Sequence, residues 1–166
     1  ARMRKSLELQ ARMGPVFDVT LDGEDGAPVG GEVAHAQLIA ELVVSPLNAH
    51  GRVGARVVPF DHPAFAPMLE ALLPAAGARL AYLMIPKPRH LADVQQAITH
   101  IEHVAQVQGR GAHLPLHALI ETHGALRDVQ AVLPRAHPNP AFRAALQRLD
   151  PAAQTDSKQT EREVTP

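Results

Sequence analysis

Apolar and polar positions alternate along this chain in two rhythms, one with a period of two and one close to helical. Residues 16–21 interleave Val16, Phe17, Val19 and Leu21 with Asp18 and Thr20, between Gly14-Pro15 and Asp22-Gly23, which predicts a short strand. Residues 33–44 place Val33, Ala36, Ile39, Ala40 and Val43 at helical spacing and stop before Ser45-Pro46. The same pair of rhythms then recurs three times. Residues 52–58, 80–85 and 116–120 read as strands, and residues 65–76, 91–108 and 125–133 as the helices that follow them, the last stopped by Pro134. Residues 3–13 and 140–149 read as flanking helices.

A strand-helix alternation of this kind predicts an α/β fold with a parallel sheet. Residues 80–85 are a nearly continuous apolar run and residues 116–120 a further one around His117, which suits strands buried on both faces. Residues 1–150 are expected to form one domain, and residues 151–166, polar and without an apolar face, a disordered tail.

Composition narrows the function classes. Sixteen Lys and Arg stand against 17 Asp and Glu, a net charge of -1, so no nucleic-acid partner is expected. The absence of cysteine removes disulfides, thiolate nucleophiles and thiolate zinc sites. No apolar run is long enough for a spanning helix, so no membrane partner and a cytoplasmic location are expected. The chain opens on Ala1, so residue 1 is not expected to be the start of translation.

In a parallel α/β sheet the ligand site forms where strands end and loops begin. All four predicted strand ends carry ionisable groups: Asp22, Glu24 and Asp25; Arg56 with Asp61 and His62; Lys87; and Glu121 with His123. Asp18, Thr20, Asp22 and Glu24 share one strand parity, as do His117, Leu119 and Glu121, so two polar stripes are expected to face a common interior. Crowded carboxylates repel, and a hard divalent cation such as Mg²⁺ relieves them. Arg56 offers a planar fork for a substrate carboxylate or phosphate. The alternative is an ion pair between Arg56 and the carboxylates that only holds the strand ends together.

These residues resemble the HpcH/HpaI aldolase family, specifically the citrate lyase beta-subunit-like CoA-ester lyases. The similar pieces are Phe17-Asp18-Val19-Thr20-Leu21-Asp22-Gly23-Glu24-Asp25-Gly26, Arg52-Val53-Gly54-Ala55-Arg56-Val57, Leu83-Met84-Ile85-Pro86-Lys87 and Leu119-Ile120-Glu121-Thr122-His123-Gly124-Ala125-Leu126. The resemblance implies a TIM-like (β/α) barrel with only about half of its strands in this chain, assembled as a homo-oligomer. It implies Mg²⁺-dependent carbon-carbon cleavage or formation in a 3-hydroxy acyl-CoA or a related 2-oxo acid. By the same resemblance Glu121 and Asp25 are metal ligands, Arg56 and His123 bind substrate, and Arg56, Glu24, Asp25 and Glu121 are the catalytic set. It also implies a strand before residue 1, and a second metal-ligating Asp in a later Phe-Gly-x-x-Asp strand that the sequence after Pro134 does not contain. The competing expectation is a truncated, non-catalytic remnant or assembly subunit of the same fold. A phosphate- or sugar-binding α/β domain is a third.

Other candidates carry less. His100 and His103 are three apart on a predicted helix and are expected to face solvent; His113 and His117 straddle Pro115, so a zinc pair is not expected. His123 is a candidate proton donor, with a loop histidine bonded to backbone as the alternative. Lys87, between Pro86 and Pro88, is read as an ordinary strand-end lysine in preference to a Schiff base. The glycine-rich stretches match no nucleotide-binding loop.

Overall fold

The computed structural model describes residues 2–107 and 114–136. Helix α1 (Arg2–Met13) precedes four strand-helix units: β1 (Val19–Asp22) with α2 (Glu32–Val44), β2 (Val53–Arg56) with α3 (Phe65–Ala76), β3 (Leu83–Ile85) with α4 (Leu91–Val107), and β4 (Leu116–Ala118) with α5 (His123–Ala136). A single 3₁₀ turn, Gly77–Arg79, follows α3.

The strands form one sheet in the order β1-β2-β3-β4, every pair parallel. Val19 pairs with Val53 and Asp22 with Arg56; Arg56 pairs with Met84, and Met84 with His117. This sequential parallel order, with a helix after each strand, is consistent with part of a TIM-like barrel. The four described strands form an open sheet.

Strand parity divides the sheet into two faces. Val19, Leu21, Val53, Ala55, Leu83 and Ile85 are buried in one core with Ile39 and Val43 of α2, Met68, Leu69, Leu72 and Leu73 of α3, and Ile101 of α4. Thr20, Asp22, Gly54, Arg56, Tyr82 and Met84 alternate with these residues and so lie on the opposite face. There the Tyr82 hydroxyl meets Thr20 Oγ1 at 2.5 Å, and its ring stacks on His117 with centroids 4.2 Å apart. The Tyr82 ring lies against Gly54, where any Cβ would collide with it. One polar cross-tie fixes the other end of the sheet: buried Gln10 of α1 donates from Nε2 to the carbonyls of Phe17 and Arg52, at 2.7 and 3.3 Å.

Several boundaries differ from those the pattern predicts. Strand β1 begins at Val19 and not at residue 16, because Gly14 turns at φ 83° and Val16 is left exposed. Strands β2, β3 and β4 are likewise shorter than predicted. β4 is the outer strand of the described sheet, with Leu116 half-buried and His117 and Ala118 exposed, so the expectation of burial on both faces fails there. Helix α5 runs to Ala136, past Pro134; a proline that close to the end disturbs only the last turn. His100, expected in solvent, is half-buried with its ring 5.8 Å from that of Phe65, whereas His103 is exposed. The predicted helix over residues 140–149 and tail over residues 151–166 lie outside the described residues, as does His113.

Candidate active site

The four strand ends bring Asp22, Glu24, Asp25, Arg56, Lys87 and Glu121 to one edge of the sheet. Asp22 and Arg56 are register partners on β1 and β2. Arg56 donates from Nε to Asp22 Oδ1 at 2.8 Å and from Nη2 to Asp22 Oδ2 at 2.7 Å, the planar two-point pairing that guanidinium and carboxylate favour. The backbone N–H of Glu24 also donates to Asp22 Oδ1, at 3.0 Å, closing a tight turn directly after β1. Gly23 permits that turn, since a Cβ there would strike Met68 and the carbonyl of Arg56. His35 of α2 bonds the Asp22 carbonyl through Nε2 at 2.9 Å and fastens the strand end to the helix layer.

Within this turn the carboxylates differ sharply in exposure. The Glu24 side chain is only 7% exposed, whereas that of Asp25 is 63% exposed. Arg56 Nη1 lies 3.0 Å from Glu24 Oε2, near enough for an ion pair but not aligned as a hydrogen bond, so that buried oxygen has no hydrogen-bond donor. Arg56 Nη2 also reaches Asp25 Oδ2 at 3.2 Å.

Lys87 completes the cluster from the end of β3. Its Nζ sits 2.7 Å from Glu24 Oε1 and 3.3 Å from Asp25 Oδ1, and its backbone N–H donates to Glu121 Oε1 at 3.1 Å. Glu121 and the Glu24-Asp25 pair are therefore joined through two different atoms of one residue. Glu121 follows β4 and is exposed, and His123 opens α5, also exposed. Asp18 does not join its parity partners at this edge; it pairs with Arg52 at 2.5 Å, just ahead of β2.

The electrostatics follow from these contacts. Partial burial acts to raise the Asp22 carboxyl, but hydrogen bonds from Arg56 and from the backbone of Glu24 and Gly26, with the Arg56 charge, outweigh it and hold it below the ordinary aspartate range. The hydrogen bond to Glu24 holds the Lys87 ammonium above the ordinary lysine range against desolvation, with Asp25 and the charges of both carboxylates adding to it. Hydrogen bonding to Asp22 does the same for Arg56, whose guanidinium stays charged. An ammonium held protonated is no amine nucleophile, which disfavours Schiff-base chemistry at Lys87.

An open cavity of about 420 Å³ adjoins the cluster, lined by Pro59, Asp61, Lys87, Arg89, Glu121 and Thr122. Across it Arg89 and Asp61 form an exposed pair at 2.9 Å. Among the described residues, no group of three or more His, Asp or Glu side chains is arranged to hold a metal ion. Both oxygens of Asp25 are engaged, Oδ2 by Arg56 and Oδ1 by Lys87. Glu121 has one oxygen that receives a single N–H, and Asp25 is exposed.

Sequence reasoning placed Arg56, Glu24, Asp25 and Glu121 at strand ends; the structure joins Arg56 directly to Glu24 and Asp25, whereas Glu121 meets this group only through the Lys87 backbone N–H. Lys87, read as an ordinary strand-end lysine, reaches Glu24 and Asp25 with its ammonium, and Asp22, left out of the catalytic set, is the two-point partner of Arg56. The available signal for Asp22 was its position at a predicted strand end, as for Arg56.

No protein-family model matches the chain, and no curated protein matches it. Among solved structures it is similar to the crystal structure of a citrate lyase from Burkholderia xenovorans LB400, with a TM-score of 0.76 and 36% sequence identity over 96% of this chain. The match covers 54% of that protein, so the chain spans about half of its length. The fold is citrate lyase-like over that shared part. No helix among the described residues is long and apolar enough to cross a membrane.

Proposed function

We propose that this chain carries part of the active site of a carbon-carbon lyase of the HpcH/HpaI, citrate lyase beta-subunit-like kind. Its substrate on this reading is a 3-hydroxy acyl thioester, CoA being the expected carrier, or a related 2-oxo acid. The observation that carries the reading is the convergence of Arg56, Glu24, Asp25 and Glu121 at the strand ends of a fold similar to a citrate lyase.

Cleavage of such a substrate removes the 3-hydroxyl proton, breaks the bond between carbons 2 and 3, and moves that electron pair onto the thioester carbonyl as an enolate. The released fragment leaves as a carbonyl compound, and carbon 2 takes back a proton. Mg²⁺, bound through Asp25 and Glu121 and otherwise by water and substrate, would supply stabilisation of the developing negative oxygen.

The residues themselves do the rest. Arg56 holds its guanidinium in a fixed plane on Asp22, so its orientation is set before substrate arrives. Its longest hydrogen bond goes to the exposed Asp25, and this is the partner a substrate carboxylate or carbonyl oxygen can replace at least cost. Asp25, relieved of that one contact, keeps only its contact with Lys87 and is open to the ion. His123 stands at the start of α5 as a further substrate contact.

The test is a turnover assay on 3-hydroxy acyl thioesters with Mg²⁺, following the released carbonyl compound by hydrazine trapping. Cleavage that disappears in Arg56→Ala and Glu121→Gln supports the reading; no cleavage of any member of a chemically varied panel counts against it.

One observation favours a second reading, a non-catalytic subunit of the same fold. Asp22, Glu24 and Asp25 are each already paired with Arg56, Lys87 or both, as expected where ion pairs only brace the strand ends. Under that reading the melting temperature is indifferent to Mg²⁺ with or without a 2-oxo acid.

A further inference from the structure

We propose that Thr122 is a positioning residue: by donating to the Pro88 carbonyl it holds the left-handed turn at Lys87 that puts the ammonium on Glu24 and Asp25 and the N–H on Glu121. The place of Lys87 in a reacting site rests on the lyase reading above; the clamp on its backbone does not.

Lys87 is the single non-glycine residue at positive φ among those described, at 49°. It precedes Pro88, a position that ordinarily favours extended backbone, so its conformation is held by its surroundings. It stands exposed between two buried prolines. From there Nζ reaches Glu24 Oε1 at 2.7 Å and Asp25 Oδ1 at 3.3 Å, while the N–H donates to Glu121 Oε1 at 3.1 Å.

The restraint comes from the next strand-helix unit. Each residue from Lys87 to Leu91 meets a partner between Glu121 and Asp128. After the Lys87 contact with Glu121, the Thr122 hydroxyl donates to the Pro88 carbonyl at 2.5 Å. Gly124 lies against the Arg89 carbonyl, where any Cβ would collide with it. Asp128 Oδ2 accepts the Leu91 N–H at 3.0 Å and lies 3.6 Å from His90 Nδ1.

Within this ladder Thr122 uses its hydroxyl twice. It donates to Pro88 and accepts the Ala125 N–H at 3.2 Å, as the N-cap of α5. Of the contacts nearest Lys87, that with Glu121 is exposed, whereas Thr122 is half-buried and Pro88 buried. Water therefore competes least with the Thr122 bond. On the lyase reading, a substrate oxygen that takes Arg56 from Asp25 leaves the Lys87 ammonium as the contact holding Asp25, and Thr122 acts on it through the backbone.

NMR on ¹⁵N-lysine protein tests this without turnover. The chain has three lysines, Lys5, Lys87 and Lys158, and the Lys87 amide is the one missing from Lys87→Arg. At a φ of 49° the N–H and Hα of a residue are nearly eclipsed and lie closer than in helix or strand. The parent is therefore expected to show a stronger N–H to Hα cross-relaxation at Lys87 than at Lys5 in helix α1. Thr122→Val removes both the donor and the cap. Thr122→Asp removes the donor but keeps an acceptor for the Ala125 N–H, and carries the test if the Val variant fails to fold. Both are expected to bring the Lys87 signal down to the level of Lys5. In Thr122→Val the Lys87 amide is also expected to exchange with solvent roughly fivefold faster, as the loss of one hydrogen bond predicts. Thr122→Ser keeps the hydroxyl and is expected to match the parent.

A Lys87 signal that keeps its strength in Thr122→Asp overturns the proposal, because the cap alone then suffices. So does a parent in which Lys87 is no stronger than Lys5. These spectra need no cleavage, so failure of the clamp and failure of the lyase reading show in different measurements.

Discussion

Arg56 and Asp22 stand opposite each other on adjacent parallel strands and close a two-point hydrogen bond of 2.8 and 2.7 Å. Because the pairing runs across the sheet, the orientation of the guanidinium is fixed by strand register, and every other contact of the cluster is arranged around it.

Arg56→Ala leaves Asp22, Glu24 and Asp25 facing one another with Lys87 as their remaining cation. Partial solvent access softens the penalty, and a loss of about 2 kcal/mol is expected from chemical denaturation. Arg56→Lys keeps the charge and loses the fork, so it is expected to recover stability in part while any turnover stays at least about a hundredfold down.

The pH dependence of stability has a sign at each end. Asp22 is held low, so its contribution is present above the unfolded value of about 3.9 and is lost as pH falls through the lower folded value. Lys87 is held high, so its contribution is complete below about 10.4 and is lost as pH rises through the higher folded value. Melting temperatures across pH are expected to show Asp22→Asn flattening the acid limb and Lys87→Met the alkaline one. Unchanged limbs would show that these contacts do not persist in solution.

The face beneath the cluster is tightly fitted at Gly54, where a methyl group runs into the Tyr82 ring. Gly54→Ala is expected to cost about 1–3 kcal/mol in urea unfolding, as overpacking does. Tyr82→Phe removes the 2.5 Å contact with Thr20 and is expected to cost about 1 kcal/mol while leaving the stacking on His117 in place.

Much of this was legible in the sequence. Residues 65–76 were read as a helix from the stripe of Phe65, Met68, Leu69, Leu72 and Leu73, and α3 has those bounds because one apolar face faces the sheet along its whole length. Strand ends were less legible: Val16 has a strand-like side chain, but the turn at Gly14 keeps it outside the ladder. Outer strand β4 looked buried because an apolar run does not say whether a neighbour covers it. At the site, chemistry at strand ends was readable from parity and loop position. Lys87 was not, because a charge between two prolines reads as solvated and no local pattern announces a left-handed backbone that aims it inward.

On the proposed function, Glu121 and Asp25, beside Arg56, take up a divalent cation together with a 2-oxo acid. Calorimetric titration of Mg²⁺ into the protein, alone and with glyoxylate, oxaloacetate or pyruvate, addresses it most directly. The account predicts weak uptake alone, tighter uptake with at least one 2-oxo acid, and loss of both in Glu121→Gln. Absence of uptake in every combination, or uptake unchanged in Glu121→Gln, would contradict it.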